Sequence, residues 1–155
     1  MRKALDIILE RILIMLMVLM VFDVVWQVAS RYLIGIPSTF TDELAGFLLI
    51  WLGLLGAAYA SGKGQHLAIE LLPNKLNKIS RKKLDIFINI TIILFALPVM
   101  IIGGSNLVYL TFLLEQKSAS LSIPLGYIYI CVPLSGLFIT TYSGFNIHTK
   151  LTELK

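Results

Sequence analysis

A chain of 155 residues that is 57% hydrophobic and only 14% charged, with a mean hydropathy of +0.87, excludes an ordinary soluble domain, whose surface needs far more charge. The formal net charge of +4 does not point to nucleic acid, because the basic residues flank long apolar runs, where membrane topology and anionic lipid account for them. Cys131 is the single cysteine and lies inside an apolar run, so neither a disulfide framework nor a cysteine metal cluster is available.

The expected fold is an all-α integral membrane protein, a single membrane domain over residues 1–155 with four transmembrane helices. A hydrocarbon core of roughly 30 Å takes about 20 helical residues, and four runs meet that length or come close to it. The first extends from about Ile12 to Ser30. Arg2, Lys3 and the later Val28-Ala29-Ser30 imitate a signal peptide, but the run is longer than a signal core and ends in Asp23, Trp26 and Gln27, so a retained helix is expected. The second, Leu44 to Ala60, is shorter and lies between the acidic pair Asp42-Glu43 and a basic loop. The third carries no charge from Ile86 to Leu114 and is interrupted by Pro98 and Gly103-Gly104, which predicts a tilted or kinked helix. The fourth runs from Pro124, suited to a first helical turn, to Tyr142 or Phe145, with Pro133 as a kink.

Positive charge orients these spans. Arg2, Lys3 and Arg11 precede the first, six Lys and Arg lie between Lys63 and Lys83, and Lys150 and Lys155 follow the fourth, against Arg31 and Lys117 alone on the other side. Both termini and the middle loop are therefore expected on the cytoplasmic side of the membrane. Trp26, Tyr32, Tyr109, Tyr127 and Tyr129 fall near the outer boundary, and Tyr59, Phe87, Tyr142 and Phe145 near the inner one. In the middle loop Leu72, Leu76 and Ile79 share one face while Lys75, Lys78 and Lys82 take another. That pattern predicts a short amphipathic helix on the cytoplasmic leaflet, its lysines toward anionic headgroups; a solvated basic loop serving topology alone is the alternative.

Few residues are candidates for function. Asp23 is the one ionisable group well inside an expected span, where a charge costs on the order of 2.5–3.5 kcal/mol. It reads as a paired residue at a helix interface or as an ion-coupling site, and its place two turns below the outer boundary favours pairing. Arg31 and the Asp42-Glu43 pair bracket the first outer loop, so a salt bridge across it or to another subunit is one reading. The other is local: both acids fall in the first turn of the second helix after Thr39 and Thr41, where the helix dipole favours negative charge. Gly53-xxx-Ala57 and Gly56-xxx-Ala60, and Gly136-xxx-Thr140-xxx-Gly144, form small-residue faces that let helices approach closely in lipid. His66 and His148 sit in or near cytoplasmic segments and cannot clamp a haem between spans. No phosphate loop, metal spacing or Ser-His-Asp arrangement is present, so no enzyme is expected.

The order Gln27-Val28-x-x-Arg31-Tyr32, Pro37, Asp42-Glu43-Leu44-Ala45, Trp51, Gly56-Ala57, Gly64-x-His66 is followed by Ser118-x-Ser120-Leu121-x-Ile123-Pro124-x-Gly126-Tyr127 and Pro133. Together these resemble the small membrane subunit of tripartite ATP-independent periplasmic (TRAP) transporters, the DctQ-like family, over nearly the whole chain. The resemblance implies an auxiliary scaffold beside a large membrane subunit that holds the substrate and sodium sites and moves as an elevator. It also implies a periplasmic substrate-binding protein that delivers an organic acid, commonly a dicarboxylate or a sialic acid. No cofactor is implied for this chain, sodium being expected on the partner. Arg31, Asp42 and Glu43 would belong to the family's outer-hairpin motif and Trp51 to its second helix, without becoming substrate ligands. Four spans with no inverted repeat and no unwound pair of helices agree with an auxiliary role. Two rivals remain: a self-sufficient homodimeric, proton-coupled exporter using Asp23, and a membrane scaffold without a transport partner.

Overall fold

The computed structural model describes residues 2–35, 39–63 and 78–152. Among them lie four helical stretches long and apolar enough to cross a membrane, Leu5–Leu33, Thr39–Gly62, Lys82–Leu113 and Leu125–Thr152. The first is built on α1 (Arg2–Ala29), continued by a wider turn over Ser30–Ile34 in which hydrogen bonds reach five residues back. Its packed face repeats every three or four residues, through Leu9, Leu13, Leu16, Met20, Asp23, Gln27 and Ser30, the seam spacing of a helix lying alongside another at a shallow angle. Gly35 ends it with φ +74°, a left-handed conformation that glycine adopts without a Cβ clash.

The second span is α2 (Thr39–Gly62), with Asp42 in its first turn. The third is one long helix in three parts: α3 (Lys78–Phe95), a wide stretch over Ala96–Gly103, and α4 (Gly104–Leu113). Pro98 has no N–H to donate and its ring crowds the carbonyl four residues back, and widening the helix relieves both. The Gly104 N–H accordingly reaches back to the Val99 carbonyl. The wide stretch also preserves packing. Ile92, Ala96, Met100 and Gly104 are spaced by fours, which in a regular 3.6-residue helix would drift around the axis, yet Ala96 and Gly104 are buried and Ile92 and Met100 half-buried on one side. The fourth span is α5 (Leu125–Tyr129) and α6 (Cys131–Thr152), broken at Ile130 just ahead of Pro133.

The spans do not pack in chain order. The first lies on α2, α2 lies on α6, and α6 lies on α3 and the wide stretch, so the sequence across the bundle is first, second, fourth, third. The core gathers Leu9, Leu55, Ala58, Ala96, Ile139 and Tyr142, with Trp51, Ile92, Met100 and Phe138 packed against them. Most of the amphipathic helix expected around Leu72 and Leu76, including Lys75, lies outside the described residues. Lys78, Ile79 and Lys82 fall in the opening turns of α3, which is continuous with the third span and starts well before Ile86.

Candidate functional site

Polar side-chain contacts between spans gather at the two ends of the bundle. At one end the Glu43 carboxylate, in the first turns of α2, accepts from the Ser118 hydroxyl and from three successive backbone N–H groups, those of Ala119 at 3.1 Å, Ser120 at 3.0 Å and Leu121 at 3.2 Å. Adjacent amides aimed at one anion form a concave binding site for it. Here the anion is the chain's own glutamate, so the start of the second span is clasped to the loop joining the third and fourth.

That loop is shaped for the clasp. The Ser118 hydroxyl donates to Glu43 and accepts the Leu121 N–H at 3.2 Å, and the Ser118 carbonyl accepts the Ser122 N–H at 3.1 Å. Ser122 takes φ +54°, and Lys117 pairs with Pro124 in a short antiparallel bridge. Below it Tyr127 meets the Phe112 ring edge-on, with centroids 5.1 Å apart. Gly126 is packed against the same ring, where a Cβ would come within 2.5 Å of Phe112 Cε2. The Ser118-to-Tyr127 motif is thus a turn whose hydroxyl, glycine and aromatic residues each fill a geometric requirement.

In the first hairpin Gln27 donates its side-chain amide to Asp42 Oδ1, tying α1 to α2, and Ser30 Oγ donates to the Gln27 carbonyl at 2.9 Å. Asp23, one turn away from Gln27 on the same seam, is only 7% exposed. Its Oδ2 has no hydrogen-bond partner among the described residues. Arg31 is exposed, and no ion pair joins it to Asp42 or Glu43 among the described residues; the two acids bond to Gln27 and to the 118–121 loop instead. Trp51 is half-buried against the core. Among the described residues nothing packs on Gly53 or Gly56, since a Cβ at either would meet nothing within 4 Å. Gly136, by contrast, presses on Met100, with a Cβ position 2.8 Å from Met100 Cβ, while Gly144 is open.

The opposite end carries contacts that sequence reasoning missed. Tyr142, placed at the interface by its sequence position, is completely buried and donates to Asp6 Oδ1 at 2.7 Å. Gly62 lies flat against its ring, where a Cβ would be 2.8 Å from Cε1. Tyr59 donates to Glu10 at 3.4 Å, and Lys63 Nζ sits 5.2 Å above the Tyr59 ring. The Tyr59 hydroxyl, then the charges of Asp6 and Glu10, hold the Lys63 ammonium above its ordinary pKa. Lys150 pairs with Asp85 at 3.5 Å, joining α6 to α3. The only advance signal for Tyr142 and Gly62 is a tyrosine and a glycine among small and polar residues near the ends of their spans.

Among the described residues no group of three or more His, Cys, Asp or Glu could hold a metal ion. The polar groups draw helices together rather than converge on a ligand. Such an arrangement defines a braced membrane component, and comparison with known proteins agrees. The chain belongs to the family of tripartite ATP-independent periplasmic transporters, DctQ component, whose model matches residues 17–152. It is 25% identical over 143 residues to the sialic acid TRAP transporter small permease protein SiaQ of Vibrio cholerae, covering 89% of this chain and 78% of that one. It is 31% identical over 102 residues to the C4-dicarboxylate TRAP transporter small permease protein DctQ of Rhodobacter capsulatus, covering 64% and 44%. A stretch of 73 residues, 44% of this chain, is 30% identical to part of the sialic acid TRAP transporter permease protein SiaT of Haemophilus influenzae and spans 12% of that longer protein. The chain is thus a multi-pass inner-membrane protein and a small permease subunit of a transporter family rather than of an enzyme family.

Proposed function

We propose that this chain is the static auxiliary subunit of a sodium-driven TRAP importer. A large membrane subunit carries the substrate and sodium sites, and a periplasmic binding protein delivers an organic acid of the dicarboxylate or sialic-acid type. The observation that carries this reading is the family match over residues 17–152 on a chain whose described polar contacts brace its own helices. A working partner is further supported by SiaT, a much longer permease protein in which part of this chain has a counterpart. The relatives' names supply sialic acid and C4-dicarboxylate, both of which are carboxylates. The orientation proposed is that of the charge count, with both termini on the Lys-rich side.

The test is co-expression with the large subunit, followed by copurification and uptake into reconstituted vesicles under an imposed sodium gradient. Uptake is expected only when both subunits and the binding protein are present, and it should collapse when the sodium gradient is dissipated. Transport by this chain alone, driven by a proton gradient, would favour the exporter reading and end this one.

A further inference from the structure

In the third span Gly104 is a glycine by necessity and its neighbour Gly103 is not. A Cβ at Gly104 would stand 2.9 Å from Val132 Cγ1 and 3.1 Å from the Pro133 nitrogen, whereas one at Gly103 would meet nothing nearer than the Pro98 carbonyl oxygen at 3.5 Å, an ordinary contact. Glycine weakens a helix interior, so one on an exposed face calls for a reason.

The reason lies in helix phase. Met100, Gly104, Val108 and Thr111 are the buried or half-buried side of the second half of the span, in phase with Ile92 only because the stretch over Ala96–Gly103 is wide. In a regular helix, at about 100° per residue, Gly104 would stand about 120° round from Ile92, while Val99, Gly103 and Leu110 would fall within about 20° of it. Narrowing the stretch therefore turns the second half by about a third of a revolution. It presents Val99, Gly103, Leu107 and Leu110, all exposed now, where Met100, Gly104, Val108 and Thr111 stand. The alternative stripe is as apolar as the present one, and Gly103 supplies the gap that Val132 and Pro133 require. Thr111 turns outward without leaving its hydroxyl unpaired, because that group donates to the Leu107 carbonyl of its own helix at 2.6 Å. Two contacts favour the wide form. Pro98 is relieved by it, and Phe112 lies on Gly126 and Tyr127 at the base of the turn that Glu43 clasps. In the narrow register Phe112 is carried off that glycine, while the first half stays pinned by Asp85 to Lys150.

We infer that the third span has two registers, with Ala96–Gly103 as the converting element and the Glu43 clasp as the latch that holds the wide one. Packed helix interfaces are bistable rather than continuously deformable, and wide helical turns are frequent at functional sites. The device does not depend on the transport reading above. The test uses the full chain in lipid nanodiscs, with Cys131→Ala and a spin label at Tyr109→Cys in α4. A second label is placed at Leu137→Cys in α6 or, in a separate sample, at Leu49→Cys in α2; all three labelled positions are exposed. A third of a turn moves a side chain on a helix of about 5 Å radius by roughly 9 Å, which pulsed electron paramagnetic resonance resolves as a distance change in at least one pair. Glu43→Ala, which opens the latch, and Pro98→Ala, which removes the reason for widening, should each add a displaced distance population. Gly103→Leu, which leaves the wide register untouched and closes the narrow one against Val132, should abolish that population in both backgrounds. If Pro98→Ala does not fold, Glu43→Ala alone decides. Unchanged distances in Glu43→Ala would overturn the latch, unchanged distances in every folded variant would overturn the two registers, and so would a displaced population that persists with Gly103→Leu.

Discussion

Replacing Gly136 with alanine sets one methyl group against a close contact between α6 and the third span. The new Cβ would stand 2.8 Å from Met100 Cβ, 3.1 Å from Ile101 Cγ1 and 3.4 Å from the Met100 carbonyl carbon, where ordinary carbon contacts are about 3.5–4.0 Å. Met100 Cβ is fixed to its backbone, so the clash cannot be relieved by a rotamer change; α6 and the wide stretch of the third span must part. Overpacking of this kind costs about 1–3 kcal/mol. Alanine also favours helix over glycine by about 0.8–1.0 kcal/mol, which would mask part of the loss in a single variant. Gly144→Ala supplies the control, because it is the same change on the same helix with nothing within 4 Å. The helix term cancels between the two, leaving about 1–3 kcal/mol as the difference in unfolding free energy, measured by reversible unfolding in mixed micelles. Equal stability of the two variants, within the roughly 0.3–0.5 kcal/mol scatter of such comparisons, would refute the packing described for α6.

Glu43→Ala removes the acceptor for four donors of the 118–121 loop, so a cysteine at the exposed Ser120 should react faster with a maleimide, and copurification with the large subunit should fall; an unchanged labelling rate would deny the clasp. Tyr142→Phe removes the bond to Asp6 while keeping the ring on Gly62, and a loss of about 1 kcal/mol is expected in micellar unfolding, with Asp6→Ala giving a similar loss and the double variant no further one. Asp23→Asn should leave assembly and most uptake intact, because an amide still hydrogen-bonds at that depth and avoids a buried charge; abolished uptake in an assembled complex would give Asp23 a coupling role. Cysteines at Ser120 and Ser80 should label from the periplasm and the cytoplasm respectively, and the reverse pattern would overturn the orientation.

The four spans were legible because charge and hydropathy act through composition alone, and the break at Pro98 was legible because proline's missing N–H is a local fact. The direction of that break was not, although the spacing of Ile92, Ala96, Met100 and Gly104 by fours carried it. Glu43 was readable as an acid in a first helical turn, yet its acceptor role engages residues 75 or more positions away, and nothing near Glu43 encodes them. Glycines divide in the same way. Gly53 and Gly136 have similar local settings, but one faces open space and the other a neighbouring backbone, because only the packing order decides which face is covered. Tyr142 was legible as an aromatic residue near the inner end of its span, but its burial was not, because that rests on Asp6, 136 positions earlier.

The order of spans across the bundle has a consequence for biosynthesis. As the ribosome releases the chain, the first two helices can associate at once, tied by Gln27 to Asp42. The third enters the bilayer with its packing face, Ile92 to Gly104, uncovered, because the surface it fits belongs to α6 and is translated last. Arrival of α6 then joins two half-assemblies in one event: Tyr142 reaches Asp6, Lys150 reaches Asp85, and the loop ahead of α5 closes on Glu43. A chain stopped before Pro124 would therefore hold a hairpin and an unmatched helix adrift in the same membrane, displaying just the surfaces that membrane quality control is suited to find.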